Sequence, residues 1–223
     1  MKNNITIAAA GLALLIGAPA FAEPSSEVAF DAPTRALLRS GDPTKGEALA
    51  KDQCDKCHGK MGPGVSDDTD DPNLAGQLAS YTYKQLVDYV GKQRDDKDMR
   101  KRAKKLSDQD MVDLAAWYAA QPLPDPARKN TDQATLRLVY KGDPKRMIKP
   151  CGSCHGRSGQ GGGKNDAAAL TGQRRGYFIS TLAGFKEEDR ENDIYSRMRL
   201  IAEALTEQEI EALADYYAAP DPE

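Results

Sequence analysis

The sequence predicts an all-α protein built from two similar domains in tandem. Sequence landmarks recur once with nearly constant spacing, apolar residues follow helical periodicity, and no stretch shows the alternation typical of a β-strand. A length of 223 residues allows one large domain or two small ones. The near balance of charges, with 31 basic and 34 acidic residues, excludes a strongly basic nucleic-acid binder.

The first 22 residues have the pattern of a signal peptide. Lys2 precedes an apolar run over residues 5–17, and Ala20-Phe21-Ala22 matches a small-x-small cleavage site. The run is short for a membrane span, so we favour cleavage and export over an uncleaved anchor. We therefore expect a periplasmic protein, with residues 23–41 as an N-terminal extension that packs on the surface.

The duplication defines the two predicted domains. The segment 54–59 recurs 97 residues later, and Leu-x-Gly-Gln motifs followed by Tyr81 and Tyr177 recur with an offset of 96. Three prolines between residues 122 and 126 disfavour helix and predict an extended spacer. The predicted organisation is domain 1 over residues 42–121, a linker over 122–131 and domain 2 over 132–223.

Capping signals place the helices within each repeat. Pro43 starts a helix that runs into Cys54. Ser107 and Thr206 each begin a capping-box pattern followed by apolar residues at i, i+3, i+4 and i+7. Middle helices are predicted over residues 83–90 and 177–185, and the segments between them are rich in Gly and Asp.

Two Cys-x-x-Cys-His segments are the candidate functional sites of the sequence. They could attach haem covalently, bind zinc, form a thioredoxin-like redox pair or close a structural disulfide. Zinc would require paired motifs closer together, the redox pair belongs to a βαβ context, and a disulfide leaves both histidines of the chain unexplained. We therefore predict two covalently bound c-type haems. The residues concerned are Cys54, Cys57, His58, Cys151, Cys154 and His155.

The aromatic content of 6% is low for two separate cores. A large apolar macrocycle in each domain would supply the missing bulk. We therefore expect the haem-free chain to be largely unfolded.

A second axial ligand to each iron is sought among the methionines. Met99 and Met198 each precede a leucine by seven residues, so they are equivalent in the repeat. Met61 and Met147 lie too close to the attachment segments, and Met111 lies on an apolar helix face. We predict the ligand pairs His58/Met99 and His155/Met198, with loop packing of one methionine as the alternative. Two protein ligands per iron would serve electron transfer.

These motifs resemble those of the dihaem cytochromes c4, over residues 40–219. The resemblance implies two tandem class I cytochrome c domains joined by the Pro-rich linker, and an electron carrier that is not itself an enzyme. It also implies transient contact with a quinol–cytochrome c oxidoreductase and a terminal cytochrome c oxidase of a respiratory chain. Nucleic acid is not an expected partner, and loose membrane association is compatible with this role.

One position departs from the family pattern. In class I cytochromes c, a proline carbonyl commonly orients the proximal histidine. Pro72 matches this position, whereas the repeat alignment places Ala168 there in domain 2. We expect the carbonyl of Ala168 or a neighbour to replace it.

Two rival functions remain open. The chain could be the dihaem electron-accepting subunit of a flavin- or quinone-dependent dehydrogenase, or a haem peroxidase, which methionine ligation of both irons disfavours. The basic residues after Met99 could steer an acidic redox partner or simply form a solvated segment. They are Arg100, Lys101, Arg102, Lys104 and Lys105.

Overall fold

A computed structural model describes residues 25–26, 28–65, 71–162 and 166–219. The predicted signal peptide lies outside these residues. Eleven α-helices and two short 3₁₀ turns, Pro144–Arg146 and Ile194–Ser196, occupy the described chain, which contains isolated bridges but no β-strand. The helices are α1 (Ala32–Leu38), α2 (Pro43–Gln53), α3 (Asp55–His58), α4 (Ala79–Gly91), α5 (Lys97–Ala103), α6 (Asp108–Ala119), α7 (Gln133–Tyr140), α8 (Cys151–His155), α9 (Arg175–Lys186), α10 (Arg197–Ala204) and α11 (Glu207–Tyr217).

The helix starts predicted at Pro43 and after Ser107 and Thr206 are confirmed, whereas the two middle helices begin earlier than predicted, at Ala79 and Arg175. Asp42 caps α2 through the backbone N–H groups of Thr44 and Lys45. Ser107 and Thr206 begin α6 and α11 with complete capping boxes, because each hydroxyl accepts from the third helical N–H and the acidic residue there accepts in return. These reciprocal bonds satisfy backbone groups that would otherwise lack partners at the helix ends.

The same packing scheme appears in both halves. In the first, α6 packs against α2 and α4, and its buried face includes Val112, Leu114 and Tyr118. In the second, α11 packs against α7 and α9, with Leu213 and Tyr217 buried. Each half thus has its own core beneath its last long helix.

The linker lies against two equivalent glycines. Residues 122–131 have no regular secondary structure. A Cβ on Gly76 would lie 2.5 Å from the Cα of Leu123, and one on Gly172 would lie 2.5 Å from the carbonyl oxygen of Pro124. Both glycines also have positive φ values, of 71° and 74°. The Gly of each Leu-x-Gly-Gln motif is therefore required by the close approach of the linker and by the left-handed backbone.

The N-terminal extension contacts both halves. Helix α1 packs against α4 and α6, with Leu37 and Leu38 on the apolar cluster of the first half. Arg35 of the same helix pairs with Asp166 of the second half at 2.8 Å. The described part of the extension thus packs on the first half through α1, and this ion pair adds a contact that the sequence did not predict. None of the described helices has the length and apolar character needed to cross a membrane.

Candidate haem sites

Each Cys-x-x-Cys-His segment forms one helical turn. Cys54 is the residue between α2 and α3, and Cys151 is the first residue of α8. The four cysteines form no disulfide with one another. Burial raises the pKa of Cys54, and it raises the pKa of Cys151 to about 11. A thioredoxin-like pair has a reactive thiol with a lowered pKa, so these shifts argue against that interpretation.

The two histidines are oriented in the same way. The Nδ1 atom of His58 lies 3.2 Å from the carbonyl oxygen of Pro72, and that of His155 lies 2.7 Å from the carbonyl oxygen of Ala168. A carbonyl can only accept, so in each bonded imidazole Nδ1 carries the proton and Nε2 keeps its lone pair. Burial lowers the pKa of both histidines against the opposing effect of these hydrogen bonds, which favours the neutral form that a metal requires.

The carbonyl of Ala168 therefore replaces that of a proline, as the repeat alignment predicts. Backbone hydrogen bonds within the preceding loop hold this carbonyl in place. Gly162 and Ala167 exchange two backbone hydrogen bonds, of 3.0 and 3.3 Å, just before Ala168. In domain 1 the ring of Pro72 restricts the backbone covalently, whereas domain 2 achieves the restriction with hydrogen bonds.

Met99 and Met198 occupy matching places at the start of α5 and α10. The N–H of Met99 donates to Asp96 at 2.7 Å, and the N–H of Met198 donates to Asp193 at 2.8 Å. Both side chains are partly buried against the apolar cluster of their own half. Residues 92–105 are rich in charged side chains, yet α5 turns the side chain of Met99 onto the core.

The other candidate methionines have different surroundings. Met61 and Met147 are 49% and 85% exposed. Met111 is buried in the cluster formed by α4, α5 and α6, as expected for a core residue. These environments agree with the choice of Met99 and Met198 as candidate ligands.

The donor set in each half fits a covalently attached haem. It combines two cysteines one helical turn apart, an imidazole with an available Nε2 and a thioether packed on the same half. Cys54 packs against the apolar cluster that contains Tyr118, and Cys151 against the one that contains Tyr217, so the first cysteine of each pair borders the core beneath the last helix. Within the described chain, no group of three or more His, Cys, Asp or Glu side chains is arranged to hold a metal ion by itself.

The interface between the halves contains reciprocal polar contacts that sequence analysis missed. Arg94 donates to the Tyr177 hydroxyl at 2.6 Å, and Arg190 donates to the Tyr81 hydroxyl at 3.0 Å. Both tyrosines were recognised as repeat landmarks 96 residues apart, and the two arginines are separated by the same 96 residues. That common offset is the signal that could have paired them.

The basic residues after Met99 lie in α5 and the turn that follows it. Lys101, Arg102, Lys104 and Lys105 are exposed, and Arg100 pairs with Asp95 at 2.6 Å. In the second half, Arg199 after Met198 instead pairs with Asp193 at 2.9 Å. The surfaces beside the two candidate methionine ligands therefore differ in charge.

Comparison with known proteins extends over both halves. The family described as "Cytochrome C oxidase, cbb3-type, subunit III" matches residues 41–117. A cytochrome c4 of Thiocapsa roseopersicina is 37% identical over 179 residues, which cover 79% of this chain and 91% of that protein. A thiosulfate dehydrogenase electron acceptor of Stutzerimonas stutzeri is 35% identical over 169 residues, covering 74% of this chain and 77% of that protein.

A solved structure has the same architecture. The crystal structure of reduced recombinant cytochrome c4 from Pseudomonas stutzeri superposes with a TM-score of 0.71 and 30% identity, covering 80% of this chain and 98% of that one. The similarity thus spans a complete two-domain protein.

Proposed function

Because the chain belongs to the cytochrome c4 family, whose members are c-type cytochrome electron carriers with two covalently bound haems, we propose which of its residues hold them. Cys54 and Cys57 attach the first haem through thioethers, and His58 and Met99 bind its iron. In domain 2 the corresponding residues are Cys151, Cys154, His155 and Met198. The observation that carries this assignment is the pair of histidines fixed through Nδ1 with Nε2 available.

Each bound haem supplies one reversible Fe(II)/Fe(III) step. The protein groups around each iron determine the reduction potential of this step. A methionine thioether favours the reduced iron relative to a second histidine, whereas the hydrogen bond from histidine Nδ1 to a carbonyl makes the imidazole a stronger donor and favours the oxidised iron. A histidine and a methionine bound to each iron would leave substrate no access to the metal, which would disfavour peroxidase chemistry.

For partners, we propose transport in the periplasm from a quinol-oxidising complex to a terminal oxidase. The exposed basic residues of α5 and the turn after it support docking of an acidic partner beside the first haem, because long-range attraction accelerates the encounter of oppositely charged surfaces. Redox interfaces are small and transient, so this function requires no stable complex.

A second candidate has its own support. The relative from Stutzerimonas stutzeri is a thiosulfate dehydrogenase electron acceptor, and it matches most of this chain. The chain could thus take electrons from a dehydrogenase as a dedicated partner or subunit.

The experiment that separates these functions uses the purified holoprotein with membranes of the producing cells. The carrier hypothesis predicts that the protein purifies alone, is reduced by membranes supplied with quinol and is oxidised by them in the presence of oxygen. Stoichiometric co-purification with a dehydrogenase, and reduction by thiosulfate through it but not by quinol, would instead establish the second candidate.

A further inference from the structure

Two buried glutamines cross the interface between the domains. The Oε1 atom of Gln77, in domain 1, accepts from the N–H of Ala169 at 2.8 Å, and its Nε2 donates to the Ala169 carbonyl at 3.1 Å. Gln173, in domain 2, binds Asn73 in the same way, with distances of 2.7 and 3.1 Å. Each glutamine belongs to a Leu-x-Gly-Gln motif and holds both backbone polar groups of one residue in the other domain.

The two bound residues directly follow the carbonyls that orient the histidines. The N–H of Ala169 and the C=O of Ala168 belong to one peptide group, and so do the N–H of Asn73 and the C=O of Pro72. A peptide group is planar, so a hydrogen bond that fixes its N–H also fixes the direction of its C=O. The glutamine and the histidine are therefore bonded to opposite ends of the same rigid unit.

The resulting chain of hydrogen bonds runs from one domain into the other. It leads from Gln77 Oε1 through the peptide joining Ala168 and Ala169 to His155 Nδ1. The equivalent chain leads from Gln173 through the peptide before Asn73 to His58. Hydrogen bonds connected in series polarise one another, so the bond at the N–H end strengthens the acceptor at the C=O end.

Burial makes these contacts hard to replace with water. Gln77 and Gln173 are 6% and 8% exposed, and their backbone partners Asn73 and Ala169 are also buried. We propose that Gln77 is a positioning residue for the proximal histidine of domain 2, and Gln173 for that of domain 1, so that each domain sets the donor strength of the other domain's axial ligand. This proposal rests on the assignment of His58 and His155 as iron ligands under the proposed function.

The two hydrogen-bond chains differ in the other contacts that restrain the peptide group next to each histidine. The ring of Pro72 restricts the domain 1 peptide covalently, whereas the peptide after Ala168 is restrained only by breakable contacts, among them the hydrogen bonds between Gly162 and Ala167. Near Ala168, Asp166 is held by Arg35 of the N-terminal extension through an exposed guanidinium, at 2.8 Å. Loss of Gln77 should therefore affect His155 more than loss of Gln173 affects His58.

The test uses Gln77→Met and Gln173→Met in the full-length holoprotein, because methionine keeps the length and charge of the side chain but removes the amide. Each variant is studied by redox titration and by proton NMR of the oxidised protein, in which the signals of each haem are assigned through contacts with its own histidine. We expect Gln77→Met to raise the potential of the second haem and to shift the Nδ1 proton signal of His155, with the first haem unchanged. Gln173→Met should affect the first haem alone, and by a smaller amount.

Gln121→Met is the matched control, because Gln121 also donates a side-chain hydrogen bond, to the Trp117 carbonyl at 2.9 Å, but within its own domain. It should leave both potentials unchanged. If a methionine variant fails to assemble, Gln77→Asn and Gln173→Asn keep the amide and shorten its reach, and the same crossed pattern is expected.

Four results would overturn the proposal. The potential could shift only for the haem of the mutated domain, shift equally for both haems, or stay unchanged for both. The fourth is a fall in potential, which water entering the interface would cause. Failure of the proposed function would look different, because the unmutated protein would then lack two haems with histidine and methionine ligands.

Discussion

The fully buried carboxylate of Asp88 offers the sharpest stability test of the interface. Its oxygens accept from the Nζ of Lys84, from the amide of Asn192 at 2.6 Å and from the hydroxyl of Ser26 at 2.7 Å. Lys84 is only 5% exposed, and its ammonium also donates to the backbone carbonyl of Asn192 at 2.6 Å. Burial lowers the pKa of Lys84, and the negative charge of Asp88 opposes this shift. The network therefore joins α4, the N-terminal extension and domain 2.

Asp88→Ala would leave the Lys84 ammonium buried without its counter-charge. Removing one partner of a buried ion pair typically costs about 3–5 kcal/mol of folding free energy, whereas removing both charges is far less costly. We therefore expect Asp88→Ala to destabilise the holoprotein by about 3–5 kcal/mol. The double variant Lys84→Met/Asp88→Ala should recover about 2 kcal/mol or more of this loss.

Urea unfolding of the holoprotein, followed by circular dichroism and by haem absorbance, measures these differences. The matched control is the exposed pair of Glu47 and Lys51, which has the same four-residue spacing and an N–O distance of 2.7 Å. Glu47→Ala should change stability by less than about 1 kcal/mol. Additive effects of the Lys84 and Asp88 substitutions, with no recovery in the double variant, would refute this reasoning.

Further predictions concern the partner surface, acid stability and the cofactor. Charge reversal of the exposed residues of α5 and the turn after it should slow electron exchange with the membrane partner several-fold at low ionic strength and little at high salt; an unchanged, salt-independent rate in stopped-flow mixing would contradict it. These residues are Lys101, Arg102, Lys104 and Lys105. Hydrogen bonds from Arg146 lower the pKa of Glu209 below its usual 4.5, so the stabilisation that they provide is present at neutral pH and is lost as the pH falls through this lowered pKa. Glu209→Gln should therefore lower the urea midpoint at pH 7 and converge with the unmutated protein in acid, and a constant difference across pH would exclude the mechanism. The haem-free chain should show little helical circular dichroism and no cooperative melt; a compact, cooperatively melting apoprotein would show that the helices fold without the cofactor.

Much of the fold could be predicted because its signals are local. The capping boxes at Ser107 and Thr206 depend on residues within one helical turn, and both form as predicted. The apolar stripe that placed Met111 in the core is likewise a property of one helix. The repeat alignment also predicted that the carbonyl of Ala168 or a neighbour would orient His155, and the structure selects Ala168 because equivalent positions in duplicated domains adopt equivalent backbone geometry.

The contacts that escaped prediction join residues about 100 positions apart. Lys84 and Asp88 look like a solvent-exposed helical ion pair in the sequence, and only the packing of domain 2 over α4 buries them. The crossed bonds of Gln77 and Gln173 depend in the same way on how the domains face each other. Sequence periodicity describes which face of a helix is apolar, but it contains no information about which polar residues a second domain will cover.

Methionine ligation of both irons is the central claim, and the charge-transfer band between sulfur and ferric iron at the red end of the visible spectrum measures it most directly. The oxidised holoprotein should show this band with the intensity of two haems. Met99→Ala and Met198→Ala should each remove about half of it, and the double variant all of it, whereas Met61→Ala should leave it intact. Retention of the full band in either single alanine variant would contradict the assignment of that methionine as a ligand.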